Sequence, residues 1–213
     1  MTGIPRGARL LIVAGLAAWV LTIGAGLAIL WAYADTPGRP AAADATWPAG
    51  ASIARNTHTP VLVLFLHPRC PCSRATIGEL ARLLAGARTP VATYALFYRP
   101  SDAEPGWERT DLWDSAAAIP GVHVMSDERG RQARVFGAFV SGQTLLYGAT
   151  GSLLFSGGIT GARGHEGDNP GRTAVTSMLA GERTDILRTP VFGCYLHAES
   201  DMIPSSPTHA ERP

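Results

Sequence analysis

The chain has almost no net charge: 18 Lys and Arg against 17 Asp and Glu leave a formal +1 over 213 residues. The arginines are scattered rather than gathered into a basic face, and there is no nucleic-acid motif, so no nucleic-acid partner is expected. Cysteine is scarce as well. Cys70, Cys72 and Cys194 allow one intramolecular disulfide with one thiol left over, which excludes a disulfide scaffold and fits a working thiol pair. No internal repeat is visible, and the length suits one ordinary domain with appendages.

Charge is absent altogether from residues 10–34. That run is long enough to cross a hydrocarbon core of about 30 Å with some tilt. Arg6 and Arg9 precede it and Asp35 follows, so the positive-inside bias puts residues 1–9 in the cytoplasm and the rest across the membrane. The competing reading is a cleaved signal peptide, with Ala32-Tyr33-Ala34 as the small-residue site, but such apolar regions run only about 7–15 residues. The expectation is a single-pass inner-membrane protein with a periplasmic C-terminal domain. In either case the cysteines face an oxidising compartment. Residues 35–58 read as an Ala-, Pro- and Gly-rich linker, with Trp47 packing on the domain edge, and 200–213 as a disordered tail.

The domain of residues 59–199 is organised around Val61-Leu62-Val63-Leu64-Phe65-Leu66-His67-Pro68-Arg69-Cys70-Pro71-Cys72-Ser73-Arg74. An apolar strand runs into a turn with two cysteines and then into an amphipathic helix. Unpaired helix amides and the positive charge of Arg69 and Arg74 favour a thiolate there. Strands are expected at 60–66, 90–98, 122–125, 143–147 and 153–159. Helices are expected at 73–85, about 107–117, from Asp127 to 136, and at 170–180, capped by Asp168 or Asn169. Ser73 reads as the N-cap of the first of these helices. Parallel strands with helical crossovers, closed by an antiparallel hairpin, make an α/β fold with a central mixed sheet flanked by helices.

The strand, the cysteine turn and the helix resemble the thioredoxin-like superfamily. The Cys-Pro-Cys-Ser-Arg run and the Gly193-Cys194 pair resemble its membrane-anchored RedB-type proteins, over roughly residues 55–197. The resemblance implies a thioredoxin-like fold and thiol–disulfide exchange with protein thiols or disulfides, with Cys70 in the place of the attacking cysteine and Ser73 in that of the usual resolving one. Cys72 falls one position early. The cis-proline usual at the start of the hairpin is missing; Gln143 stands near its place, which eases metal binding.

Cys70 is the expected nucleophile, and Cys72 or Cys194 the resolving thiol. The dozen or so residues from Gly181 to Cys194 can span about 40–45 Å when extended, enough to return to the active-site rim. His165, in a Gly-rich loop bordering the cysteines, is a candidate proton carrier or ligand. His67, three residues before Cys70, reads either as an exposed turn histidine or as a flank of the same site. Two functions follow. The first is a membrane-tethered thiol–disulfide oxidoreductase that needs no cofactor. The second is a copper carrier resembling the Sco type, with Cys70, Cys72 and His165 or His67 as ligands, although the Cys-x-x-x-Cys spacing of that type is absent. A peroxidase would want a Thr and a Pro before its cysteine in the pattern Pro-x-x-x-Thr-x-x-Cys, which this chain does not supply.

Overall fold

Six consecutive apolar residues, Val61–Leu66, are all buried. A strand covered on both faces reads as such an unbroken run. In the computed structural model, which describes residues 5–55 and 57–196, these six form β1 at the centre of a five-stranded sheet ordered β3-β2-β1-β4-β5. The elements run β1 (Val61–Leu66), α2 (Pro71–Gly86), β2 (Ala92–Arg99), α3 (Asp111–Ala117), β3 (Val122–Glu128), α4 (Arg131–Val135), β4 (Gln143–Tyr147), β5 (Leu153–Gly157) and α5 (Pro170–Leu179). β1, β2 and β3 are parallel, β4 is antiparallel to β1, and β5 is antiparallel to β4.

The two faces of β1 feed two cores. Leu62, Leu64 and Leu66 pack with α2, α3 and α5 through Ile77, Leu80, Leu112 and Val175. Val61, Val63 and Phe65 pack on the other face with Phe136, Leu145 and Tyr147.

The chain divides after Thr36 into two compact units. The first holds α1 (Arg6–Asp35), a 30-residue helix with no buried residue. It is long and apolar enough to cross a membrane, a test that an N-terminal signal sequence also passes.

Several expected boundaries move. The stretch read as a linker is docked on the domain from residue 38 onward. Ala42 N donates to Gly137 O at 2.9 Å, Trp47 N to Gly151 O at 2.7 Å, and Leu153 N to Ala45 O at 2.8 Å. Its prolines bar a helix but not an extended edge, and Ile53 and Trp47 supply apolar surface for the second core. The Trp47 ring meets Phe136 and Tyr147 edge-on, each at 5.2 Å, as its expected edge packing requires.

α2 begins at Pro71, because proline's fixed φ suits the first helical position. α3 begins only at Asp111, leaving Trp107 in a preceding turn. Asp127 lies at the end of β3 rather than at an N-cap, yet its carboxylate still accepts the Gln132 and Ala133 amides at 2.8 and 2.9 Å. Asn169 caps α5 by accepting from Arg172 N, with Pro170 next. The tail read as disordered, 200–213, and residues 197–199 of the expected domain lie outside the described residues, as do residues 1–4.

Beyond α5 the chain returns along β5, where Ser156 N donates to Leu187 O at 3.1 Å and Gly158 N to Pro190 O at 3.2 Å. It then crosses to the segment before β4. There Ser141 N donates to Cys194 O at 2.8 Å and Leu196 N to Phe139 O at 2.9 Å.

Candidate active site

β1 delivers its last residue into the turn His67-Pro68-Arg69-Cys70. Cys70 is the N-cap of α2, in an extended conformation, and its N–H donates to His67 O at 3.2 Å. Ser73 is therefore not the cap. It is wholly buried inside the first turn, where its hydroxyl donates to His67 O at 2.8 Å. With that proton committed, Ser73 accepts from Ser141 Oγ at 2.7 Å, and Ser141 in turn accepts the His67 N–H at 2.9 Å. The segment before β4 is thus fastened to the cysteine turn.

The three cysteines meet. The Cys194 thiol donates to Cys70 Sγ across 2.8 Å, a gap that a small side-chain rotation closes to a bond of about 2.05 Å. Cys70 and Cys72 are buried, whereas Cys194 is exposed overall with its sulfur turned inward. The Cys72 thiol also donates to Cys70. That hydrogen bond, against the opposing effect of burial and with help from the Cys194 thiol and the Cys194 and Cys72 amides, holds Cys70 down to about 4. The same bond pushes the Cys72 thiol well up, helped by burial and by the Cys70 charge, while the Gly164 amide pulls the other way. Burial, then the bond to Cys70, pushes Cys194 up to about 12. The reduced site is one thiolate receiving two thiol protons.

Arg69 does not figure among the causes that lower Cys70. Its guanidinium lies over the Trp107 ring at 4.5 Å, and Arg74 pairs with Asp111. The lowering comes from the neighbouring thiols and from the Cys72 and Cys194 amides instead. His67 is half-buried rather than a free turn side chain, stacked on Tyr98 at 5.9 Å and edge-on to Trp107 at 5.8 Å. Burial lowers its pKa, opposed by the Cys70 charge and reinforced by Arg69. A cleft of about 270 Å³ opens beside Cys70, lined by Arg69, Pro71, Arg74, Thr110 and Asp111 among others.

The Gly-rich loop 160–169 does border the cysteines, through Gly164 on Cys72. His165 is not what it contributes. That residue is exposed, with its ring against Gly161 and Gly167. Among the described residues no group of three or more His, Cys, Asp and Glu side chains is placed to hold a metal ion. Gln143 also misses the cysteines. As the cross-strand partner of Phe65 it lies on the sheet face away from α2, where its amide donates to Ser156 Oγ at 3.3 Å. No peptide bond among the described residues is cis.

Three residues that the sequence reading passed over hold the site together. Ser141 links the cysteine turn to the C-terminal segment. Arg163 Nη1 donates to Gly193 O at 2.8 Å. Glu79, wholly buried in α2, pairs with Arg172 at 2.7 Å and Arg82 at 2.5 Å and accepts the Gly167 amide at 2.8 Å, which fixes the loop. A signal for Glu79 was present: residues 72, 76 and 79 follow helical spacing, so its carboxylate belongs to the cysteine face.

No protein-family model matches the chain, and no curated protein matches it. Solved structures do. A hypothetical protein from Sinorhizobium meliloti is 23% identical, with a TM-score of 0.54 over 76% of this chain and 93% of its own. An uncharacterized conserved protein from Geobacillus kaustophilus is 14% identical, with a TM-score of 0.54 over 78% of this chain and 93% of its own. A looser likeness, at a TM-score of 0.43 and 14% identity over 60% of this chain and 84% of its own, is to a secreted Mycobacterium tuberculosis disulfide oxidoreductase homologous to E. coli DsbE. The fold is thioredoxin-like: a mixed sheet flanked by helices, with the cysteine turn between β1 and α2 and the antiparallel β4–β5 hairpin closing the sheet.

Proposed function

We propose that this protein is a thiol–disulfide oxidoreductase, held at the inner membrane by α1 with its domain on the periplasmic side, acting on protein thiols or disulfides. The observation that carries the reading is the Cys70 thiolate, at the end of α2, with a second thiol 2.8 Å away. Arg6 and Arg9, in the first turn of α1 and ahead of its uncharged run, support the orientation.

Thiol–disulfide exchange needs no cofactor. The Cys70 thiolate attacks one sulfur of a substrate disulfide, the substrate S–S bond breaks, and its other sulfur leaves as a thiolate that takes a proton from water. A Cys70–substrate mixed disulfide remains. A second cysteine of the chain, Cys72 or Cys194, then displaces the substrate, and a dithiol reductant restores the pair. Every step runs equally in reverse.

The test uses the full chain in detergent micelles, with insulin as the disulfide substrate and dithiothreitol as reductant. The wild type accelerates reduction and Cys70→Ser does not. Full activity in Cys70→Ser overturns the proposal. So does an inactive wild type that binds Cu(I) tightly through Cys70 and Cys72, the outcome that the copper-carrier alternative predicts.

A further inference from the structure

We propose that Cys194 is the thiol that resolves the mixed disulfide on Cys70, and that Arg163 is the positioning residue that seats it there. The inference rests on the oxidoreductase reading and extends it to a residue remote from the cysteine motif.

Two backbone contacts bracket Cys194. Arg163 Nη1 donates to the carbonyl of Gly193 at 2.8 Å, and the Ser141 N–H donates to the carbonyl of Cys194 itself at 2.8 Å. Gly193 leaves no slack between them, since a Cβ there would stand 1.9 Å from Ser141 O. Ser141 is bonded to Ser73 and to His67 of the Cys70 turn. The aim of the Cys194 sulfur is therefore set by the β5–α5 loop on one side and by the cysteine turn on the other. The positive charge of Arg163 also favours the thiolate form of Cys194.

Cys72 is placed for a different task. It is buried in the first turn of α2, takes the Gly164 N–H and gives its own proton toward Cys70. Cys194 lies at the surface with its sulfur turned toward Cys70. Once Cys70 has lost its charge to the mixed disulfide, the bond and the charge that help hold the Cys194 proton are gone and the proton passes to water.

In the resolving step Cys194 Sγ attacks Cys70 Sγ. The Cys70–substrate bond breaks as the Cys70–Cys194 bond forms, and the electron pair leaves on the substrate sulfur, which is protonated from water. Two electrons have then passed from the Cys70–Cys194 dithiol to the substrate disulfide.

The test is stopped-flow reaction of the reduced full chain, in micelles, with substoichiometric dithiobis(nitrobenzoic acid). Attack by Cys70 releases the first nitrothiobenzoate, and resolution releases the second. Cys194→Ser should stop after the first release. Arg163→Gln should keep the first phase and slow the second by about 10–100-fold, the cost of a small misplacement of a reacting group. Arg163→Lys, which keeps a charged N–H donor, should recover most of that rate. The inference is overturned if Cys194→Ser keeps the second release while Cys72→Ser loses it, or if Arg163→Gln resolves at the wild-type rate. It is also overturned if both phases slow together, or if Arg163→Lys is no faster than Arg163→Gln. Persistence of the first phase at its wild-type rate in Cys70→Ser would instead remove the oxidoreductase reading itself, a slow release from the exposed Cys194 alone being expected there.

Discussion

The reactivity of Cys70 should be almost independent of pH where an ordinary thiol is not. Its pKa is held down to about 4, chiefly by the Cys72 thiol and next by the Cys194 thiol. The thiolate is therefore lost only as pH falls through about 4. An unperturbed thiol near 8.5–9 gains thiolate about 1000-fold between pH 5 and 8, whereas Cys70 is already ionised throughout that range. At pH 6 this advantage in thiolate fraction is about 1000-fold, but the intrinsic nucleophilicity of so weak a base is about 100–300-fold lower, leaving a net gain of about 3–10-fold. Burial of Cys70 scales the whole profile without changing its slope. Each thiol donor is a hydrogen bond to a charged group, worth about 1.5–3 kcal/mol, so removing one should raise the inflection by about one to two pH units. The assay is the rate of iodoacetamide labelling of Cys70 from pH 3 to 9, mapped by peptide mass spectrometry. The wild type should be flat from about pH 5 upward, and Cys72→Ala should shift its inflection to about 5–6. A wild-type rate that climbs tenfold per pH unit between pH 5 and 8, or an inflection unmoved in Cys72→Ala, would refute the reasoning.

Trp47→Ala should cost about 2–3 kcal/mol in urea unfolding of the reduced full chain, below the value for a fully buried core tryptophan, because the half-buried ring is packed against Phe136 and Tyr147. A linker tryptophan would change stability by less than about 0.5 kcal/mol. Ser141→Ala removes the acceptor of the half-buried His67 N–H and the buried hydroxyl bonded to Ser73, and should cost about 1–3 kcal/mol by the same measurement; an unchanged midpoint would mean that the Ser73–Ser141 link does not hold the turn. Gly193→Ala pushes a Cβ into Ser141 O, so the C-terminal segment must move away. The yield of a Cys70–Cys194 crosslink under mild oxidation should fall sharply, and a wild-type yield would contradict the described path of that segment.

The elements that were legible in the sequence are those in which local chemistry and tertiary packing agree. The run from Val61 to Leu66 has no polar residue to place it anywhere but mid-sheet, and Asn169-Pro170 marks a helix start by both its cap and its first position. Elsewhere the deciding contact is distant. Chain length allowed Cys194 to reach Cys70, but only the pairing of Ser141 with Cys194 shows where it arrives, and no local pattern announces that pairing. The docked segment around Trp47 has the composition of a linker because an extended edge imposes almost no sequence pattern. Gln143 was misplaced for a simple reason: neighbouring residues in a strand point to opposite faces, so an assignment one residue out puts a side chain on the wrong side of the sheet. His165 has the right chemistry in the right loop, but Glu79 holds that loop through Gly167 and the imidazole is left outside.

The most direct test of the central claim is to equilibrate the full chain, in micelles, across a series of glutathione redox buffers, with chelator and separately with Cu(I). Free thiols are then trapped by alkylation and the disulfides mapped by mass spectrometry. The account predicts a Cys70–Cys194 disulfide that titrates at a defined potential in the presence of chelator, with Cys72 alkylated in every buffer. Three thiols that stay reduced across the series, and are shielded from alkylation only when copper is present, would contradict it.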